Sequence, residues 1–205
     1  MISHKYKCIF IHIPRTAGSS IEKAICGANW WEVEPRTKHL LASQAKAYYA
    51  PYWDSYFKFS FIRNPWDRIV SMKKYAEYFY GSSKYPDLIT LRQLKWYKKR
   101  FGFPIMIEND YRFSDRRKLI RPVHDKQQVY GNILDEELDF IGKFESLNDD
   151  FEKIADILSL KERTLEHTNI LNRTNSTYQS YYSEVTKELV GNIYQRDIER
   201  YEYEY

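Results

Sequence analysis

The 205-residue chain has only two cysteines, Cys8 and Cys26. Small secreted scaffolds depend on denser disulfide frameworks, so this chain must be held by an apolar core instead. Both thiols are read as reduced, because free cysteine is among the most often buried residue types. There is no CxxC pair and no Cys/His cluster, so no metal site is expected. No apolar stretch approaches the ~20 residues that cross a bilayer. His4, Lys5 and Lys7 interrupt any early apolar run, which removes the signal-peptide pattern. The expectation is a cytoplasmic protein without a membrane span. Internal repeats and low-complexity linkers are missing. So are RNP, KH and C2H2 patterns, and no nucleic-acid partner is expected.

What remains is an ordinary globular composition. Hydrophobic residues make up 43% and charged residues 29%, with a net charge of +4. The length suits one domain, taken as residues 1–205, with room for a sizeable core. The mild positive charge favours anionic ligands, although it equally describes an ordinary surface.

Periodicity places the elements. Residues 6–13 read as a short buried strand, followed by a helix from Ser19 or Ser20 to about Cys26. Residues 56–63 carry the aromatic and branched side chains of a second strand. Asn64 is a good N-cap, Pro65 suits the first helical position, and Asp67 complements the positive helix end, so a helix follows to about Phe79. Residues 39–49 predict a short helix and residues 88–101 a basic amphipathic one. Residues 102–135 are polar and irregular, with Pro104, Pro122 and Gly131. Such a long loose segment is more often functional than decorative. A third strand over 139–144, a helix over 148–158 and a long last helix over 183–201 complete the reading. Strands alternating with helices imply an α/β layer fold with a mainly parallel sheet. Ligands of such sheets sit beyond the carboxyl ends of the strands.

Two turns lie at such ends. The first is FIHIPRTAGSS, residues 10–20. Pro14, Arg15, Thr16, Ala17, Gly18, Ser19 and Ser20 place backbone N–H groups at a helix N-terminus, which attracts phosphate. Gly18 permits close backbone approach, three hydroxyls add donors, and Arg15 adds a fixed positive fork. The alternative is a plain strand-to-helix turn. The loop has no GxxxxGK[ST] signature of an ATP or GTP site, and no apolar strand ends in a magnesium-holding aspartate. The second turn is FIRNPWDRIVS, with Arg63 ending a strand and Ser71 eight residues later on the helix. Alone, Arg63 reads as a structural ion-pair partner. Together, two anion-friendly strand ends in one sheet suit a ligand with two separated phosphates.

These two segments resemble the cofactor motifs of the PAPS-dependent sulfotransferases. The first looks like the 5′-phosphosulfate loop and the second like the 3′-phosphate motif, including the Arg-to-Ser spacing. The resemblance extends through residues 142–154 and 171–201, and is greatest to the carbohydrate branch that includes heparan sulfate 2-O-sulfotransferases. It implies a P-loop-like three-layer α/β fold with a central mainly parallel sheet flanked by helices. It implies PAPS as donor, PAP as product, no metal, and a hydroxyl acceptor on a glycan. Arg15 would contact the bridging and 5′-phosphate oxygens, where the family usually has lysine. Arginine stays charged and cannot donate its proton, but phosphate is a good leaving group, so retained activity is expected. His39 falls between the motifs, where the 2-O-sulfotransferase branch has its catalytic histidine, and histidine is the residue type best suited to act as a base near neutral pH. Arg173 and Thr174 resemble a later loop that closes over the cofactor.

Among the other histidines, His12 reads as a packed, hydrogen-bonded core residue, and His124 could face the acceptor. Trp30, Trp31, Trp53 and Trp96 are stacking candidates, although such residues are more often core. Lys95, Lys98, Lys99, Arg100, Arg116, Arg117, Lys118 and Arg121 make the central region basic, as an acidic glycan or a solvated helix face would require. Two other readings stand beside the sulfotransferase: a P-loop-type nucleotide phosphotransferase, and a PAP/PAPS-binding module without turnover.

Overall fold

The structure, a computed structural model, describes residues 1–80, 127–165 and 177–205, with the side chains of Ala76, Phe79 and Tyr80 excepted. The expected helix over 88–101, most of the irregular segment over 102–135, and Trp96, His124, Arg173 and Thr174 lie outside the described residues. The chain divides into two compact units. The first comprises Met1–Arg63 with Ile133–Asn169, and the second Asn64–Asn132 with Ile170–Tyr205.

The first unit carries the sheet. Its strands are β1 (Ile2–Ser3), β2 (Cys8–Ile11), β3 (Phe57–Ile62) and β4 (Phe140–Lys143), in spatial order β1-β2-β3-β4. β2, β3 and β4 are parallel, with Phe10 opposite Phe59 and Phe59 opposite Phe140. β1 pairs antiparallel to β2, a two-residue strand that the sequence pattern does not announce. The expected strands are present but trimmed by one or two residues at each end. All four residues of β2 are buried. Both of its faces are therefore covered, as parallel strands require.

Helices α1 (Gly18–Cys26), α2 (Trp30–Val33), α3 (Ala42–Tyr48) and α4 (Ala50–Trp53) fall between β2 and β3. The helix expected over 39–49 thus starts at Ala42, where Asp135 accepts the Ser43 N–H at 2.8 Å and the Ser43 hydroxyl at 2.6 Å. One face of the sheet contributes Cys8, Phe10, Phe59 and Phe61 to the core. Against them pack Ile21 and Ile25 from α1, with Phe151, Ile154, Ala155 and Leu158 from a later helix, Leu147–Leu158. Those four follow i, i+3, i+4, i+7 spacing, so one stripe of the helix faces the sheet. Burying each of the larger side chains is worth roughly 1.5–3 kcal/mol. Gly142 leaves room for Phe61, whose ring would lie 2.5 Å from an added Cβ.

The second unit contains α5 (Pro65–Tyr80), all but the last residue of α6 (Tyr130–Ile133), then, after the first unit's α7 (Leu147–Leu158), α8 (Glu184–Ile193) and α9 (Gln195–Tyr201). Asn64 caps α5 as expected, its Oδ1 accepting the N–H of Trp66 at 3.1 Å and of Asp67 at 3.4 Å. Ser183 caps α8 by accepting the Thr186 N–H. The single long helix expected over 183–201 breaks at Tyr194, whose backbone leaves helical geometry at φ −107°, ψ 15°. The break falls at a residue held by a distant part of the chain. Tyr194 is fully buried, and its hydroxyl accepts from the Arg68 guanidinium at 3.1 Å. Beyond it, the buried Asp197 carboxylate accepts the N–H groups of Val129, Tyr130 and Gly131, which pins that segment to α9.

Candidate active site

The loop after β2 is shaped by two left-handed residues, Arg15 at φ 72° and Ala17 at φ 66°. Neither is glycine, so each conformation costs about 1–2 kcal/mol, and such strain clusters at functional sites. Thr16, fully buried between them, donates its hydroxyl to the Ile13 carbonyl at 2.8 Å. Ala17 is the N-cap position of α1, and its carbonyl accepts from Ser20 and Ile21. Alanine has no oxygen to cap with. Among the described residues α1 has no side-chain cap and no acidic residue in its first turn. A helix end finished in this way favours an external anion, through its N–H groups and the dipole. Ser19 and Ser20 are half-buried there, and Arg15 and Pro14 are half-buried on the loop.

Gly18 is required by His12. An added Cβ would stand 2.2–2.6 Å from three atoms of the His12 ring. His12 is buried, as expected of a packed core histidine, and its Nδ1 bonds Glu22 Oε1 at 2.5 Å. Glu22 Oε2 accepts from Lys38 Nζ at 2.7 Å and from the Trp30 N–H at 3.1 Å. Lys38 also donates to Asn29 Oδ1. Glu22 and Lys38 are both essentially inaccessible. Burial alone would raise the Glu22 pKa, but His12 and Lys38 outweigh it and hold the carboxyl down at about 2. Burial likewise pushes His12 below its ordinary value, against the pull of Glu22. The cluster is therefore a carboxylate–ammonium pair with a neutral imidazole. A neutral His12 donates Nδ1–H to Glu22.

His39 joins this cluster. Its Nδ1 lies 3.0 Å from the His12 carbonyl oxygen. A carbonyl only accepts, so Nδ1 carries the hydrogen, and a neutral ring then holds its lone pair on Nε2. The ring is half-buried and meets the His12 ring at 4.6 Å and the Trp31 ring at 5.4 Å, both edge-on. The two histidines singled out differ accordingly: one is fixed inside, the other stands at the margin of the loop.

Arg63 ends β3 beside β2. Its Nη1 donates to the Arg15 carbonyl at 3.2 Å, and its guanidinium lies 3.9 Å from the centre of the Phe144 ring. The carboxyl ends of β2 and β3 thus converge on the loop and bring Arg15, Arg63 and His39 into the first unit. Ser71 belongs to the second unit, buried on α5. Of the stacking candidates, Trp30 and Trp53 are buried core, and Trp31 is half-buried with Lys38 Nζ 5.4 Å over its ring.

Glu22 and Lys38 were not among the residues singled out from the sequence. A signal existed: Gly18, Ile21, Glu22 and Ile25 are the buried stripe of α1, at i, i+3, i+4 and i+7. A glutamate in the middle of an apolar stripe must find a buried cation. Among the described residues no group of three or more His, Cys, Asp or Glu side chains could hold a metal ion. No helix of the described residues is long and apolar enough to cross a membrane.

No curated protein and no solved structure matches the chain significantly. A family model described as the sulfotransferase family matches residues 1–204, running through both units and both strand-end turns. On that match this chain belongs to the sulfotransferase family, and its chemistry is in general terms sulfuryl transfer.

Proposed function

We propose that the protein moves the sulfuryl group of PAPS to a hydroxyl of a carbohydrate, with residues 1–205 acting as one P-loop-like sulfotransferase domain. The observation that carries this reading is the family match over residues 1–204. The start of α1 supports this reading, since it has no side-chain cap and its backbone N–H groups, with Ser19 and Ser20, suit an anionic group; the Thr16 hydroxyl is buried on the Ile13 carbonyl and is not one of the donors. PAPS supplies an activated sulfur whose bond to phosphate oxygen breaks as the acceptor oxygen attacks in line. The chain supplies position and charge. Arg15 and the N–H groups at the start of α1 hold the phosphate end and take up charge as PAP departs. The resemblance assigns Arg63 and Ser71 to the 3′-phosphate motif, and Arg173 and Thr174 to a later loop with phosphate contacts. His39 Nε2 accepts the proton of the acceptor hydroxyl, while Nδ1–H stays on the His12 carbonyl.

Thermal stabilisation by PAP, ATP and AMP, with and without magnesium, tests the donor. A metal-independent preference for PAP is expected; a preference for magnesium–ATP would point to a phosphotransferase instead. Labelled PAPS with a panel of desulfated and native glycans then tests transfer. PAP binding without transfer to any glycan would leave the binding-module reading.

A further inference from the structure

Three of the contacts that define the surroundings of His39 lead back to one residue. Glu22 Oε1 bonds His12 Nδ1 at 2.5 Å, and the His12 carbonyl is the acceptor for His39 Nδ1. Glu22 Oε2 bonds Lys38 Nζ at 2.7 Å, and Lys38 directly precedes His39. The same oxygen accepts the Trp30 N–H at 3.1 Å, and Trp30 precedes Trp31, whose ring meets His39 edge-on. One carboxylate therefore fixes the bond, the chain segment and the neighbouring ring that set the orientation of His39.

Stability alone does not call for this arrangement. A buried ion pair contributes about as much as well-packed apolar side chains of the same volume, and often less. What a carboxylate adds is direction. Its two oxygens accept along fixed lines, whereas apolar contacts leave rotation cheap. Glu22 sits at 0% and Lys38 at 1% exposure, so neither charge is screened by water or free to reorient.

We propose that Glu22 is the positioning residue for His39, holding it as the tautomer with hydrogen on Nδ1 and lone pair on Nε2. Glu22 is fully buried and acts through His12, Lys38 and Trp30. The inference rests on the reading of His39 as base for its catalytic consequence, but the tautomer is a property of the folded chain in either case.

The test is long-range nitrogen–proton NMR on the full chain, with His39 assigned by its loss in His39→Ala. Wild-type His39 is expected to carry its hydrogen on Nδ1. Glu22→Gln is expected to mix the tautomers and to lower kcat roughly 10- to 100-fold with whichever panel glycan turns over. KM for PAPS should stay within about twofold, since the α1 N-terminus is unchanged. If Glu22→Gln does not fold, the double variant E22Q/K38M, which removes both buried charges, takes its place. A wild-type His39 protonated on Nε2 overturns the proposal without any variant. So does a folded Glu22→Gln that keeps the wild-type tautomer and kcat. A His39→Ala enzyme with full turnover would remove the base role while the tautomer measurement still judged Glu22.

Discussion

The turns after β2 and after β3 look alike as sequence: a strand, an arginine, then a helix start. They are finished in different ways. After β3, Asn64 fills the start of α5 with its own side chain, accepting from Trp66 and Asp67. After β2, Ala17 leaves the start of α1 without a side-chain cap and takes a strained left-handed conformation to do so. The first helix end is capped by a side chain of its own turn, and the second is not. The buried charges differ in the same sense. Glu22 is balanced by side chains and bears on His39, whereas Asp197 is held by three backbone amides and fastens the segment at 129–131.

The largest effects should come from the loop side. His39→Ala is expected to lower sulfuryl transfer about 10²- to 10⁴-fold while PAP still raises the melting temperature. Arg15→Ala should cost roughly 10²- to 10³-fold, with PAP binding weakened but present. A normal rate in either variant would remove that residue from the mechanism and weaken the distinction between the turns.

Next in size are variants of the buried charge. Glu22→Ala strands the Lys38 ammonium and should cost about 3–5 kcal/mol, or roughly 10 °C in Tm, by denaturant or thermal unfolding. Gly18→Ala pushes a methyl into the His12 ring, which Glu22 prevents from moving aside, at about 1–3 kcal/mol. A neutral result for Gly18→Ala would show that the His12 ring is free to shift.

Acid should separate the two buried carboxyls. The pKa values of His12 and Glu22 are both depressed in the folded chain, so the unfolded chain binds their protons first. The stability they contribute is present at neutral pH. His12's share declines as the pH falls below its ordinary 6.5, and Glu22's between 4.5 and about 2. Each group contributes a slope of at most about 1.4 kcal/mol per pH unit. Asp197 has the opposite sign, since burial pushes its carboxyl above 3.8 against its three amides, and acid relieves that cost. Unfolding curves from pH 7 to 3 should flatten below 4.5 in Glu22→Gln. A slope unchanged from wild type would disconnect Glu22 from acid stability.

The smallest effect belongs to the capped turn. Asn64→Ala should cost about 1–2 kcal/mol by thermal unfolding, because besides capping α5 its Nδ2 donates to the Glu204 carbonyl at 2.7 Å, and should leave the rise in Tm with PAP unchanged.

Local rules alone specify much of this protein. The apolar run at Cys8–Ile11, the aromatic run at Phe57–Ile62 and the stripe of α7 each carry their own period, and Asn64-Pro65 is a start signal complete within a few residues. The loop's composition, and with it the family resemblance, was equally legible. Tertiary structure alone decided the rest. The break at Tyr194 falls where the hydroxyl meets Arg68, 126 residues away in sequence, and the start of α3 is capped by Asp135, 92 residues from Ser43. The spacing of Gly18, Ile21, Glu22 and Ile25 placed Glu22 on the buried stripe of α1, but that Lys38 and His12 are its partners was decided by packing between separate segments. Helical and strand periods are short-range properties of the backbone, so sequence determines them. The partner of a buried charge is set by packing between distant segments, and no local period encodes it.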